Sequence, residues 1–115
     1  MSINAVALLN SKVVQSDDED NATATASAAA ITAQSHGALG IHADYSATVS
    51  AVKTVTLKRA TTTLAVFRHD FTAGAFIFPL PSAVWGGQGE ALSVELEASG
   101  TGGTTGRATL FYFTR

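Results

Sequence analysis

Three histidines, one run of four acids, one glycine-rich segment and a single tryptophan are the residues here with chemistry to offer. His36 and His42 stand six apart, with Asp44 two further on. Such a set holds a metal only if the side chains converge, and no H-x-x-x-H spacing on a helix brings them together. Both read as surface histidines, and no metal site is expected. His69 and Asp70 are neighbours on an extended run, so they point to opposite faces and cannot serve each other as acid and base. Asp17-Asp18-Glu19-Asp20 offers oxygens to a hard cation but lacks the spaced acids and central glycine of a calcium loop. It reads as a solvated acidic loop, or one that meets a neighbour's basic face.

Gly100-Thr-Gly-Gly-Thr-Thr-Gly106 has the backbone N–H groups of a phosphate cradle. That cradle must open a helix and be followed by a lysine. Here a strand and Arg107 follow, so the segment reads as a hairpin loop. Lys53, Lys58, Arg59 and Arg68 make at most a modest basic patch. The aromatics that would stack on bases cluster elsewhere, so nucleic acid is not an expected partner. No nucleophile–base–acid set, carboxylate dyad or cofactor fingerprint can be placed, and the chain is expected to be no enzyme. Trp85 sits among Gly86, Gly87 and Gly89, where it caps the end of a sandwich or touches a partner.

The elements that carry these residues come from a chain of 115 residues, the size of one domain. It is 46% hydrophobic but only 8% aromatic, so alanine and valine make up much of a thin core. Thin cores are often completed by a second subunit. With 14% charged residues the surface is unusually neutral. The charge is uneven: residues 1–45 carry a net −4 and residues 46–115 a net +2. Cysteine is absent, which excludes disulfides and thiolate chemistry. No apolar run approaches the roughly 20 residues that span a bilayer, and the N-terminus lacks the basic start of a secretory signal. A soluble protein without a membrane partner is expected.

Ile3–Leu9 predicts a short strand, with Ile3, Val6, Leu8 and Leu9 able to be buried. Asn21–Ala33 alternates Thr23 and Thr25 with small residues, which favours an extended arm over a helix. His36–Gly40 reads as loop. Thr48–Lys58 and Thr62–Phe71 are β-branched strands, the second with Leu64 and Val66 on one face and Phe67 on the other. Thr72–Gly74 turns this second run into a hairpin with Ala75–Phe78, and Pro79 and Pro81 end the strand. Ala83–Gly89 is a loop. Glu90–Ala98 is a half-buried strand with Leu92, Val94 and Leu96 inside, and Arg107–Arg115 is a strand apolar on both faces, hence central or covered. Short strands, frequent turns and no helix predict an all-β fold: a small β-sandwich or jelly-roll-like domain (residues 45–115) with an extended N-terminal arm (residues 1–44).

Val52-Lys-Thr-Val-Thr-Leu57, His69–Pro81 and Val94–Gly106 give residues 45–115 a resemblance to small virion proteins of tailed bacteriophages, of the capsid decoration or cement type. The resemblance implies a homo-oligomeric structural protein, most often trimeric. It would be made in the host cytoplasm and seated on the capsid surface, with the major capsid protein or other virion proteins as partners. Interface contacts are then expected from Ile3, Val6, Leu8, Leu9, Thr23, Thr25, Ile31, Trp85, Phe111 and Phe113. Other readings are a tail or head-completion component, or a carbohydrate-binding β-sandwich with Trp85 as the sugar-stacking platform. No cofactor is expected in any of them.

Overall fold

A computed structural model describes residues 11–115; the run Ile3–Leu9, with Ile3, Val6, Leu8 and Leu9, lies outside the described residues. Two antiparallel sheets pack face to face as a β-sandwich. The strands are β1 (Lys12–Gln15), β2 (Glu19–Asp20), β3 (Ala24–Ala28), β4 (His36–Tyr45), β5 (Val52–Arg59), β6 (Thr62–Asp70), β7 (Phe76–Trp85), β8 (Leu92–Leu96) and β9 (Thr105–Thr114). The first sheet runs β1-β9-β4-β7, with β2 also on β9; the second runs β3-β8-β5-β6. The all-β sandwich read from the strand pattern is the fold observed.

Alternation of large and small apolar residues fills the space between the sheets. From the second sheet come Ala24, Ala26 and Ala28 of β3, Val55 and Leu57 of β5, and Leu92, Val94 and Leu96 of β8. Ala38, Ile41 and Ala43 of β4, with Ala108 and Leu110 of β9, face them. Alanines on β3 let the sheets approach closely there. The bulk lies at the opposite side, where Phe67 of β6 meets Phe76 and Phe78 of β7 at ring distances of 5.6 and 5.1 Å.

Several local readings are corrected. The tract Asn21–Ala33 is extended over Ala24–Ala28, which is a strand of the second sheet in register with Leu96–Leu92, and it turns at Asn21 and at Ala33. His36–Gly40 is no loop but the start of β4, a central strand paired with both β7 and β9. The run Thr62–Phe71 forms its hairpin with β5, not with Ala75–Phe78. A 3-10 turn, Phe71–Ala73, instead carries the chain to the other sheet, with Phe71 buried and the Asp70 carboxylate accepting from the Thr72 N–H at 3.0 Å. Leu64 packs against the core while Val66 is exposed, because the register shifts between Leu57 and Lys58. Pro79 and Pro81 do not end β7, which continues to Trp85. β7 is an edge strand, where a missing N–H costs no ladder bond, and Pro81 falls in a stretch that pairs with nothing in β4.

Ser99–Gly106 is likewise not a hairpin loop, since β8 and β9 lie in different sheets. It arches between them, and the acidic run holds it. Asp20 Oδ1 accepts from the Gly103 N–H and Asn21 Oδ1 from the Gly100 N–H, both at 2.8 Å. Asp18 binds Arg107 Nε at 2.9 Å. The acidic segment thus meets a base of its own chain. At the same end of the sandwich the Tyr45 hydroxyl donates to the Glu97 carbonyl at 2.6 Å. Burial, and then the Glu97 charge, push that phenol up to about 12.

Candidate functional site

The outward face of the first sheet is where functional side chains gather. Alternation fixes which residues point there: Ile41, Ala43, Ala108 and Leu110 are inside, so His42, Asp44, Arg107, Thr109, Phe111 and Phe113 are outside. Strand register then arranges them in rows across the sheet. The first row is Arg107 and Asp44, with Asp18 reaching in from the β1–β2 connection. The second is Gln15, Thr109, His42 and Ile77. The third is Val13, Phe111, Gly40 and Pro79. The fourth is Phe113, Gly37 and Trp85. The face therefore grades from charged to aromatic along the strands.

A bulge makes this possible. Leu39 is the extra residue between Ala38 and Gly40 in β4, and it resets the alternation so that Gly37 and Gly40 both floor the outer face. Gly37 has a specific task. A Cβ there would stand 2.8 Å from the Trp85 ring carbons, so the indole lies directly on its backbone. The Arg115 guanidinium stacks over the same ring, 3.7 Å from its centroid. Trp85 is thus a strand residue on the sheet face, neither in a loop nor over the end of the sandwich.

Two hollows open on this face. A polar one of about 380 Å³ is lined by Gln15, Asp18, His42, Asp44, Arg107 and Thr109, together with Tyr45, Ser46 and Thr105. Inside it Gln15 donates to the Thr109 hydroxyl at 3.2 Å, and Arg107 is paired with Asp18. An apolar hollow of about 300 Å³ adjoins it, with Phe111, Ile77, Pro79 and Phe78 as walls and Gly40 as floor. His42 lines both.

The expected contact residues fall into two groups. Trp85, Phe111 and Phe113 share the outer face of the first sheet. Thr25 lies exposed on β3 of the far sheet, with exposed Thr23 just before that strand and exposed Ile31 after it. His36 is not a surface residue: it is 1% exposed, with Nδ1 2.8 Å from Thr114 Oγ1 and Nε2 2.8 Å from the Ala29 carbonyl. A carbonyl only accepts, so Nε2 carries the proton and the ring ties β3's exit to the end of β9. His69 packs on Phe71 and Phe76 while Asp70 is exposed, so the pair is split as its adjacency requires. Sequence reasoning missed Gln15, Thr109 and Gly40 as site residues and weighed Asp44 only as a metal ligand. Only the register of three strands, β1, β9 and β4, brings them together.

No family model and no curated protein matches this chain. Among solved structures, it is similar to the CBM36-1 domain of a multidomain xylanase from the hindgut metagenome of Trinervitermes trinervoides, with 12% identity and a TM-score of 0.48 over 91% of this chain and 95% of that one.

Proposed function

We propose that this chain is a non-catalytic binding module that takes a saccharide on the outer face of its first sheet. The observation that carries the reading is the pair of adjoining hollows, one polar and one apolar, joined at His42. A sugar ring presents hydroxyls that both donate and accept at its edge and C–H groups on its face. Asp44 and Asp18 accept, Arg107 donates, and the Thr109 hydroxyl does both. Phe111 and Gly40 beside them form an apolar seat against which a ring can lie flat. Phe111 replaces Trp85 as the stacking platform, because Arg115 already covers the indole.

The test is a glycan array followed by titration calorimetry. One glycan class binds, and Arg107→Ala and Phe111→Ala each weaken it by about tenfold, the equivalent of one lost hydrogen bond or apolar contact. Lys58→Ala on the opposite sheet leaves binding unchanged. Binding to no glycan, or equal loss from all three variants, would sink the reading.

One observation favours a second reading, a seat on a protein shell such as a phage capsid. Val13 and Ile77 flank the apolar hollow at 53% and 70% exposure, more open apolar surface than a sugar needs. Co-sedimentation with capsids that Ile77→Asp abolishes would support it.

A further inference from the structure

A third hollow, of about 210 Å³, lies where β4 runs out into the loop that follows it. Ala47, Thr48 and Val49 of that loop form one wall; Phe71, Thr72 and Ala75 form the other. Val49 and Phe71 are buried beneath it, while Thr48 and Thr72 bring exposed hydroxyls to its rim. The walls are held by the chain's own bonds. Phe71 N–H donates to the Ala51 carbonyl at 3.0 Å, and His69 Nε2 lies 2.9 Å from the Gly74 carbonyl. The Tyr45 and Phe71 rings meet edge-on at 4.8 Å. A hollow whose walls are already fixed loses little entropy when a ligand enters.

The three hollows follow one another along β4 and its exit. The apolar one contains Gly40 and His42, the polar one His42 and Asp44, and the third Asp44 and the loop to Val49. Gly40 to Asp44 alone spans about 13 Å at the rise of a strand, longer than one pyranose ring. Charge narrows the choice of ligand. Asp18 takes Arg107, whereas Asp44, at the joint of the polar and third hollows, has no ion-pair partner among the described residues. One uncompensated carboxylate thus stands in the middle of the groove, where sugar hydroxyls can donate to it and an anionic sugar is repelled. We propose that the groove holds three consecutive units of a neutral oligosaccharide, the third seated between the loop after β4 and the 3-10 turn. This rests on the saccharide reading and adds the length and charge of the ligand.

Titration calorimetry of the full chain with gluco-, manno-, galacto- and xylo-oligosaccharides of one to six units tests it. In the series that binds, the third unit tightens binding at least about fivefold over the second, and further units add less than about twofold. Ala47→Leu, an exposed change that puts bulk into the third hollow, keeps the thermal melt and removes that step. Three units then bind no tighter than two. Oligogalacturonides of the same lengths bind at least about tenfold more weakly than the neutral series, and Asp44→Asn narrows the gap by removing the repelling charge. Affinity that levels off at one or two units, or a third-unit step that survives Ala47→Leu, overturns the inference and leaves the saccharide reading standing. Oligogalacturonides that match the neutral series, or a gap that Asp44→Asn does not narrow, do the same. Binding of no series at any length ends both.

Discussion

The two outer faces of this sandwich are made from the same kind of strand and end up as opposite surfaces. On the second sheet, short hydroxyls dominate: Thr25 and Ser27 of β3, Ser93 of β8, Thr54 and Thr56 of β5. Four of its charged side chains pair off, Lys58 with Glu95 at 3.7 Å and Lys53 with Glu97 at 3.5 Å, while Arg68 stands exposed. On the first sheet, glycines at 37 and 40 lower the floor while Phe111, Phe113, Trp85 and Ile77 raise walls around it. One ion pair, Asp18 with Arg107, forms there, and Asp44 and His42 keep their polar atoms open to the hollow. A face that consumes its own hydrogen-bonding capacity is a covering; a face with relief and spare capacity is a recognition surface.

The contrast is broken most severely at Gly37. Gly37→Val drives a side chain into the Trp85 ring, and overpacking of this kind costs about 1–3 kcal/mol. Gly102→Ala, with nothing within 4 Å, is the control and leaves the melt within experimental scatter. If the Gly37 and Gly102 variants melt alike, the indole does not rest on that backbone. Next in size is Tyr45→Phe, which removes the hydroxyl from the Glu97 carbonyl and costs about 1 kcal/mol at neutral pH. The folded phenol's pKa of about 12 lies above its unfolded value near 10. Its contribution is therefore full below pH 10 and is lost as pH rises from 10 to 12. Denaturant titrations should converge for wild type and variant across that window, and parallel curves would contradict the bond.

Periodicity made the strands legible, and it left the site scattered. Leu92, Val94 and Leu96 alternate with polar residues, and Ala24, Ala26 and Ala28 with hydroxyls, so both strands follow from a period of two. β4 defeated the same reasoning. His36-Gly-Ala-Leu-Gly40 looks like a loop because two glycines and a bulge interrupt its period, yet those glycines exist for the face: one beneath Trp85, one beneath the apolar hollow. β7 hid behind its prolines until its place at an edge was known. Trp85, Phe111 and Phe113 stood out as large apolar residues, whereas Gln15, Thr109 and Asp44 gain meaning only when β1, β9 and β4 are set side by side. Residue type is local information; register is not.

The smallest expected effect sharpens the comparison from the other side. Glu97 on the second sheet accepts from the Thr54 N–H at 3.0 Å and from its hydroxyl at 3.2 Å, and it pairs with Lys53. The Thr54 backbone bond, then its hydroxyl and Lys53, outweigh partial desolvation and hold the carboxyl below its ordinary 4.5. A depressed folded pKa gives stability that is present above the unfolded value and lost as pH falls through the folded one. Glu97→Gln keeps an amide oxygen for Thr54 but ends the ion pair. Because the side chain is 44% exposed, solvent screens most of that pair, and the loss near neutral pH is about a few tenths of a kcal/mol. The gap between wild type and variant should close as pH drops below 4, read by urea titrations at stepped pH. Were it to stay constant with pH, Lys53 and Glu97 would not be paired in solution. The second sheet's face would then hold more spare charge than Arg68 alone, and the distinction between a covering and a recognition surface would rest on shape.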